Sequence, residues 1–274
     1  MEWLERLPEL VSELAAEWRL EVESPFEPAH ISLVVPARRV DGLPAVLKVN
    51  FPEPESEHEA EALARWNGAG AVRLLARNDE CRALLVERCL PGTQLWEVEE
   101  SRANEMAADV LSQLWQVAPA GVFKSLTGEA ARWAAELPVT WAAAGRPFEQ
   151  ALLDEAVEFL ATAPPTVEDD ALLHQDLHGG NILSSERGWL AIDPKPLAGE
   201  RAFDVASLLR DRRDDLAQDP DSAGRIRRRL DFFCDRLELD RERVRGWGIA
   251  HALAWGFEGG RPLAGHIECA RALR

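Results

Sequence analysis

The sequence predicts an α+β chain of two lobes, a small one built on a mixed β-sheet and a larger, mainly helical one. Three observations predict it. Residues 21–90 alternate short β-rich runs with one helical pattern, in the order β-β-α-β-β. After Pro91-Gly92 the pattern changes to long helical periodicities. Within that second region, two short apolar runs flank a polar turn at residues 184–188, which reads as a small β insert. The division falls at residues 1–90 and 91–274.

Taken in order, residues 3–18 place Trp3, Leu4, Leu7, Leu10, Val11, Leu14 and Trp18 three or four apart, one apolar stripe of a helix that precedes the sheet. Pro25 and Pro28 break it. Residues 31–36 and 45–49 are β-rich, and Asp41-Gly42 between them is a hairpin-type turn signal. Residues 55–67 read as a helix with Ala60, Leu63, Ala64 and Trp66 towards the apolar side, ended by Gly68 and Gly70. Residues 72–75 and 83–86 are two further strands around Asn78-Asp79. Residues 98–115, 128–137 and 148–163 are helical in pattern, and Pro164-Pro165 closes that run. From Phe203 the chain reads helical again.

Composition narrows the function classes. The 274 residues carry 31 basic against 48 acidic side chains, a net charge of −17. That sign repels phosphate backbones and anionic lipid, which argues against nucleic-acid and membrane-surface binding; it suits a cationic small molecule or a merely solvated surface. Cys81, Cys89, Cys234 and Cys269 show no CxxC spacing and read as free thiols of a reducing compartment. The start lacks the basic and apolar stretches of a signal peptide, and no apolar run reaches membrane-spanning length. The expectation is a cytoplasmic protein. Only Lys48, Lys124 and Lys195 are lysines, so 31 − 3 = 28 of the basic residues are arginine. A lysine kept in such a chain marks either chance or a place that needs a compact ammonium.

The strongest chemical signal is His174-Gln175-Asp176-Leu177-His178-Gly179-Gly180-Asn181, followed by Ile192-Asp193-Pro194. Phosphoryl transfer from ATP needs a carboxylate to orient a substrate hydroxyl and take its proton, and oxygen ligands to hold Mg²⁺ on the phosphates. Asp176 fits the first task; Asn181 and Asp193 fit the second. A hairpin of residues 182–183 and 190–192 would bring Asn181 and Asp193 to one end. His174, Asp176 and His178 are also zinc-ligand types, but a zinc site leaves Asn181 and Asp193 unexplained.

This H-x-D-x-x-x-x-N followed by a strand ending in Asp resembles the catalytic core of the protein-kinase-like superfamily. In the form H-Q-D-L-H-G-G-N-I-L it is similar to the aminoglycoside phosphotransferases. The residues Arg65-Trp66-Asn67-Gly68, Gly70-Ala71-Val72-Arg73-Leu74-Leu75 and Ile192-Asp193-Pro194-Lys195 resemble the streptomycin and hydroxyurea phosphotransferase branch. The resemblance spans roughly residues 30–210. It implies a bilobal protein-kinase-like fold and an ATP- and Mg²⁺-dependent kinase of a small-molecule hydroxyl. The implied acceptor is an aminoglycoside-type antibiotic such as streptomycin, or hydroxyurea. A kinase of a metabolic sugar or amino sugar, and a nucleotide sensor without turnover, are the alternatives.

Carried over by position, the resemblance makes Lys48, in Ala45-Val46-Leu47-Lys48-Val49, the phosphate-binding lysine; alone it would read as a surface lysine. Its partner would be Glu57, Glu59 or Glu61, with Glu59 preferred because it lies four residues before Leu63. Residues 84–92 would form the hinge, with backbone groups of Glu87 and Cys89 meeting adenine. The phosphate-covering loop falls at Pro28-Ala29-His30-Ile31-Ser32, which has no glycine and leaves backbone N–H groups or the Ser32 hydroxyl to contact phosphate. Asp204 would brace the catalytic loop, and His178 would serve as loop scaffolding.

Overall fold

An amphipathic helix opens the chain: α1 (Glu2–Glu17) buries Leu7 and Leu14 against one face of a five-stranded antiparallel sheet. This is a computed structural model, and it describes residues 2–26, 32–162, 170–216 and 218–274. The strands are β1 (Leu20–Val22), β2 (Ser32–Arg39), β3 (Pro44–Asn50), β4 (Leu74–Asn78) and β5 (Ala83–Glu87), in the order β1-β2-β3-β5-β4. The Asp41-Gly42 turn joins β2 to β3, its Gly42 N–H donating to the Arg39 carbonyl at 2.8 Å.

Strand alternation decides what β3 offers to each side. Ala45, Leu47 and Val49 pack into the cluster beneath α1. Val46, Lys48 and Asn50 point the other way. On that side lies α2 (Glu59–Trp66), which begins four residues later than its sequence pattern suggests; residues 55–58 form a turn. It ends on Asn67, which takes the left-handed cap itself at φ 44°, its N–H donating to the Leu63 carbonyl at 2.9 Å. Leu63 and Trp66 then join a core shared with the rest of the molecule.

Residues 72–73 do not extend β4, contrary to the expected strand at 72–75. The backbone there is engaged elsewhere: Val72 N–H donates to the Ala191 carbonyl and Ala191 N–H to the Gly70 carbonyl, at 3.0 and 2.8 Å. β1 was not expected either. It is three residues long and pairs with the far end of β2, too short to show a period of its own.

The second region is built on α3 (Glu100–Leu114), α4 (Leu126–Ala143), α5 (Gln150–Thr162), α6 (Arg201–Asp204), α7 (Ala206–Leu209), α8 (Arg213–Leu216), α9 (Ser222–Leu237), α10 (Arg241–Ala254) and α11 (Ala264–Leu273). α4 runs past its expected end at 137 because Trp141 is buried, its indole N–H donating to the Phe148 carbonyl at 3.0 Å. Between these helices sit a three-stranded sheet, β6 (Lys124–Ser125), β10 (Leu197–Glu200) and β7 (Asp170–Leu173) in that order, and the hairpin of β8 (Ile182–Ser185) and β9 (Gly188–Ala191). Among the described residues no helix is long and apolar enough to cross a membrane.

Candidate active site

β7 delivers the chain to His174, and buried bonds then fix the loop that follows. Asp204, at the end of α6 and fully buried, accepts from the backbone N–H of His174 at 3.0 Å, of Gln175 at 2.7 Å and from the Trp115 indole at 3.1 Å. Burial pushes its carboxyl up to about 6, although these donors oppose the shift. His174 is also fully buried. Its Nε2 lies 2.9 Å from the Ile192 carbonyl, which can only accept, so Nε2 carries the proton. Burial lowers its pKa to about 4, and the ring is neutral at pH 7. The Ser207 hydroxyl donates to the Gln175 carbonyl at 2.9 Å, and Gln175 sits in the left-handed region at φ 68°. Asp176, held from behind in this way, faces the cleft.

Replacing Asp204 by alanine leaves three buried donors without an acceptor. At about 1–3 kcal/mol for each such group, with partial relaxation, the variant loses about 3 kcal/mol of stability. Urea unfolding of wild type and variant measures this; coincident midpoints would remove Asp204 as the brace.

The β8–β9 hairpin places the other two polar groups. Ile192 N–H donates to the Asn181 carbonyl at 3.0 Å, joining the two ends of the hairpin. Asp193 then turns at φ 57°. Asn181 donates through Nδ2 to the Asp176 carbonyl at 2.9 Å, which leaves its amide oxygen as the acceptor atom. Across the cleft, Lys48 Nζ lies 2.7 and 2.8 Å from the two Glu59 oxygens and 2.6 Å from Asp193 Oδ1. Asn50 steadies Glu59 from the same face of β3, Nδ2 to Oε2 at 2.7 Å.

The electrostatics follow from this contact. Burial alone would pull the Lys48 ammonium down, but the Asp193 and Glu59 carboxylates outweigh it and its pKa is raised. Burial likewise works against the Asp193 carboxylate, and Lys48 and Lys195 override it, holding the group below the usual carboxylate range. Burial raises the Glu59 carboxyl, opposed by Lys48 and Asn50.

Other expected residues take separate places. Glu57 lies 3.4 Å from Lys124, and Glu61 lies 2.8 Å from Arg77. Ser32 opens β2 opposite Asn50; residues 28–31 of the expected phosphate loop lie outside the described residues. Glu87 ends β5, its side chain paired with Arg187 and its N–H donating to the Arg73 carbonyl at 3.0 Å. Cys89 is buried, which pushes its thiol up to about 11.

Several groups beside Asp176 went unread in the sequence. Lys195 Nζ lies 3.6 Å from Asp176 Oδ2, and an Arg210 nitrogen 4.0 Å from Oδ1. The Trp96 indole stacks on His178, centroids 5.0 Å apart and planes 10° from parallel, and donates to Asp211. Asp211 also accepts from Gly179 N–H at 3.2 Å. A Cβ at Gly179 or Gly180 would stand 2.4 or 2.7 Å from the Trp96 ring, so both positions need glycine for this close approach. Lysine scarcity was a signal for Lys195. Trp96 is one of ten tryptophans, and nothing in its local spacing sets it apart from a packing residue.

For a divalent cation the donor set suits magnesium: one carboxylate at Asp193 and one amide oxygen at Asn181, the sparse oxygen set that leaves room for substrate phosphates and water. It does not suit zinc. His174 is buried with Nε2 on a carbonyl, and among the described residues no three His, Cys, Asp or Glu groups gather to hold a metal.

A β-sheet lobe with a buried Lys–Glu pair, facing an Asp-bearing loop and a strand-end Asp on a helical lobe, defines a protein-kinase-like phosphotransferase. Solved structures share the fold: an aminoglycoside phosphotransferase, APH(4)-Ia, at TM-score 0.61 and 15% identity, covering 97% of this chain and 95% of that one; and a choline kinase from Streptococcus pneumoniae at TM-score 0.63 and 13% identity, covering 98% and 99%. The chain belongs to the aminoglycoside/hydroxyurea antibiotic resistance kinase family, whose model matches residues 17–259. It is 38% identical to a streptomycin 6-kinase of Streptomyces glaucescens, over 99% of this chain and 91% of the relative. It is 36% identical to a hydroxyurea phosphotransferase of Kitasatospora aureofaciens, over 99% and 79%. The chain is therefore a small-molecule kinase, and membership of a kinase family implies ATP as the phosphoryl donor.

Proposed function

We propose that this kinase transfers the γ-phosphoryl group of ATP, with Mg²⁺, to a hydroxyl of a cationic, aminoglycoside-type antibiotic similar to streptomycin. The observation that carries the reading is the continuity of Asp176 with a cavity of about 910 Å³. Trp96, Trp255 and Phe257 give it aromatic walls, and Asp211, Asp215 and Glu258 add carboxylates to that of Asp176. Glu55 makes a fifth carboxylate, so the acids of the lining outnumber its three cations, Lys195, Arg210 and Arg212; that excess, together with the aromatic faces, favours cationic ligands. The volume lies near the upper end of the range for small-molecule sites, far more than hydroxyurea would fill. Hydroxyurea is the second acceptor to test.

In this reading residues 1–90 form the nucleotide-binding lobe and residues 91–274 carry the catalytic loop and acceptor site. Adenine meets the Glu87 carbonyl and the Cys89 N–H; the Glu87 N–H is already used by Arg73. Lys48, oriented by Glu59, holds the α- and β-phosphates, and Ser32 lies at the γ-phosphate end. Asn181 and Asp193 are the ligands for Mg²⁺, which when bound neutralises phosphate charge. Asp176 orients the acceptor hydroxyl and takes its proton as the oxygen attacks. We also place the protein in the cytoplasm, where ATP is available; its four unpaired cysteines fit a reducing compartment.

An ADP-release screen over streptomycin, other aminoglycosides, hydroxyurea and amino sugars tests the acceptor. The expected result is highest kcat/KM on a streptomycin-like acceptor. Turnover confined to neutral or amino sugars would move the protein to metabolism.

A further inference from the structure

We infer that Lys195 is a catalytic residue that contacts the γ-phosphoryl group during transfer; this rests on the roles proposed above for Asp176 and Asp193. Its ammonium occupies the gap between the two carboxylates, 3.6 Å from Asp176 Oδ2 and 3.9 Å from Asp193 Oδ2. Asp193 lies on the phosphate side and Asp176 on the acceptor side, so the group in transit crosses the space beside Lys195. The same side chain lines the acceptor cavity.

The two lysines of the cleft are held differently. Lys48 is bound by three carboxylate oxygens at 2.6–2.8 Å. Neither separation at Lys195 is a hydrogen bond of ordinary length, so its N–H donors are not consumed by these acids. Its backbone is nonetheless fixed. The Asp193 turn and Pro194 precede it, its N–H donates to the His174 carbonyl at 3.0 Å, and the residue is 8% exposed. A buried ammonium is expensive to desolvate, and this one occupies a position in a chain that otherwise uses arginine for nearly all its positive charge. Arginine would present a planar fork; a compact ammonium can follow one oxygen along the transfer path.

In the step itself, the acceptor oxygen forms its bond to the γ-phosphorus as the bond to the ADP oxygen breaks, and ADP leaves with that electron pair. The hydroxyl proton passes to Asp176. Lys195 stays protonated and donates hydrogen bonds to the phosphoryl oxygens, where negative charge is spread.

Affinities of the magnesium complexes of ADP and of the non-hydrolysable ATP analogue AMPPNP, read by tryptophan fluorescence without acceptor, test the contact. Lys195→Met should weaken AMPPNP by about tenfold, a charge-assisted hydrogen bond's worth, and leave ADP within about twofold. With acceptor, kcat should fall about a hundredfold. A residue that merely balances charge would change both affinities equally or neither, and either result overturns the inference, as does a kcat within about threefold of wild type. Failure of the underlying kinase reading looks different: wild type binds neither nucleotide, or Asp176→Asn turns over as fast as wild type.

Discussion

Asp176→Asn lowers kcat by at least about a hundredfold and leaves ATP affinity nearly unchanged. The carboxylate is the only one between His174 and Asn181, and it faces the cavity assigned to the acceptor. General-base help contributes on the order of 10²–10⁴ in rate, and loss of hydroxyl positioning adds to that. The amide keeps the size of the side chain. The loop's main supports, Asp204 on the His174 and Gln175 N–H groups and Asn181 on the Asp176 carbonyl, do not use the Asp176 side chain. The fold therefore survives, and the effect falls on the chemical step. Steady-state kinetics with ATP titrated at saturating acceptor separates kcat from KM; a variant whose loss lies wholly in ATP affinity would contradict the assignment.

Asp193→Asn is expected to cost still more, about a thousandfold or beyond in Mg²⁺-dependent turnover. The substitution removes a charged oxygen from a hard cation that prefers one, and several kcal/mol of transition-state stabilisation converts at about 1.4 kcal/mol per factor of ten. It also reduces the 2.6 Å contact with Lys48 from an ion pair to at most a hydrogen bond to an amide oxygen, while Glu59 continues to hold that ammonium. A second consequence concerns pH. The folded-state pKa of Asp193 lies below its ordinary value because Lys48 and Lys195 favour the carboxylate over the opposing effect of burial. The stability this group supplies is thus present above the unfolded value near pH 4 and is lost as pH falls through the folded one. Thermal unfolding of wild type and variant should differ at pH 7, and the gap should begin to narrow only below about pH 4, closing as pH approaches the lowered folded-state value. A gap that widens on acidification would mean the carboxylate is not held by its lysines.

The arrangement of the candidate site was legible where its groups lie close together in the chain. The acid and amide of residues 176 and 181 share one loop, and the short β8–β9 hairpin brings Asp193 beside them. Strand alternation also suffices to put Lys48 on the face opposite Leu47 and Val49. What stayed hidden depends on distant pairings. Trp96 meets Asp211 across 115 positions, and Arg210 reaches Asp176 across the loop. Neither leaves a local period. β10 was missed because four residues including Gly199 carry no strand signal; it forms between β6 and β7, which pair with it from either side. The expected strand at 72–75 shifted because Val72 bonds to Ala191, more than a hundred residues away.

The central claim is transfer of a phosphoryl group to an acceptor oxygen with Asp176 taking the proton. Phosphorus NMR of the reaction of ATP, Mg²⁺ and streptomycin tests it most directly, with wild type and Asp176→Asn run in parallel. The account predicts a phosphate-ester resonance, coupled to a carbinol proton and growing with ADP, in the wild-type sample, at least about a hundredfold slower in the variant. Inorganic phosphate as the sole new product, or ester formed at equal rates by both proteins, would contradict it.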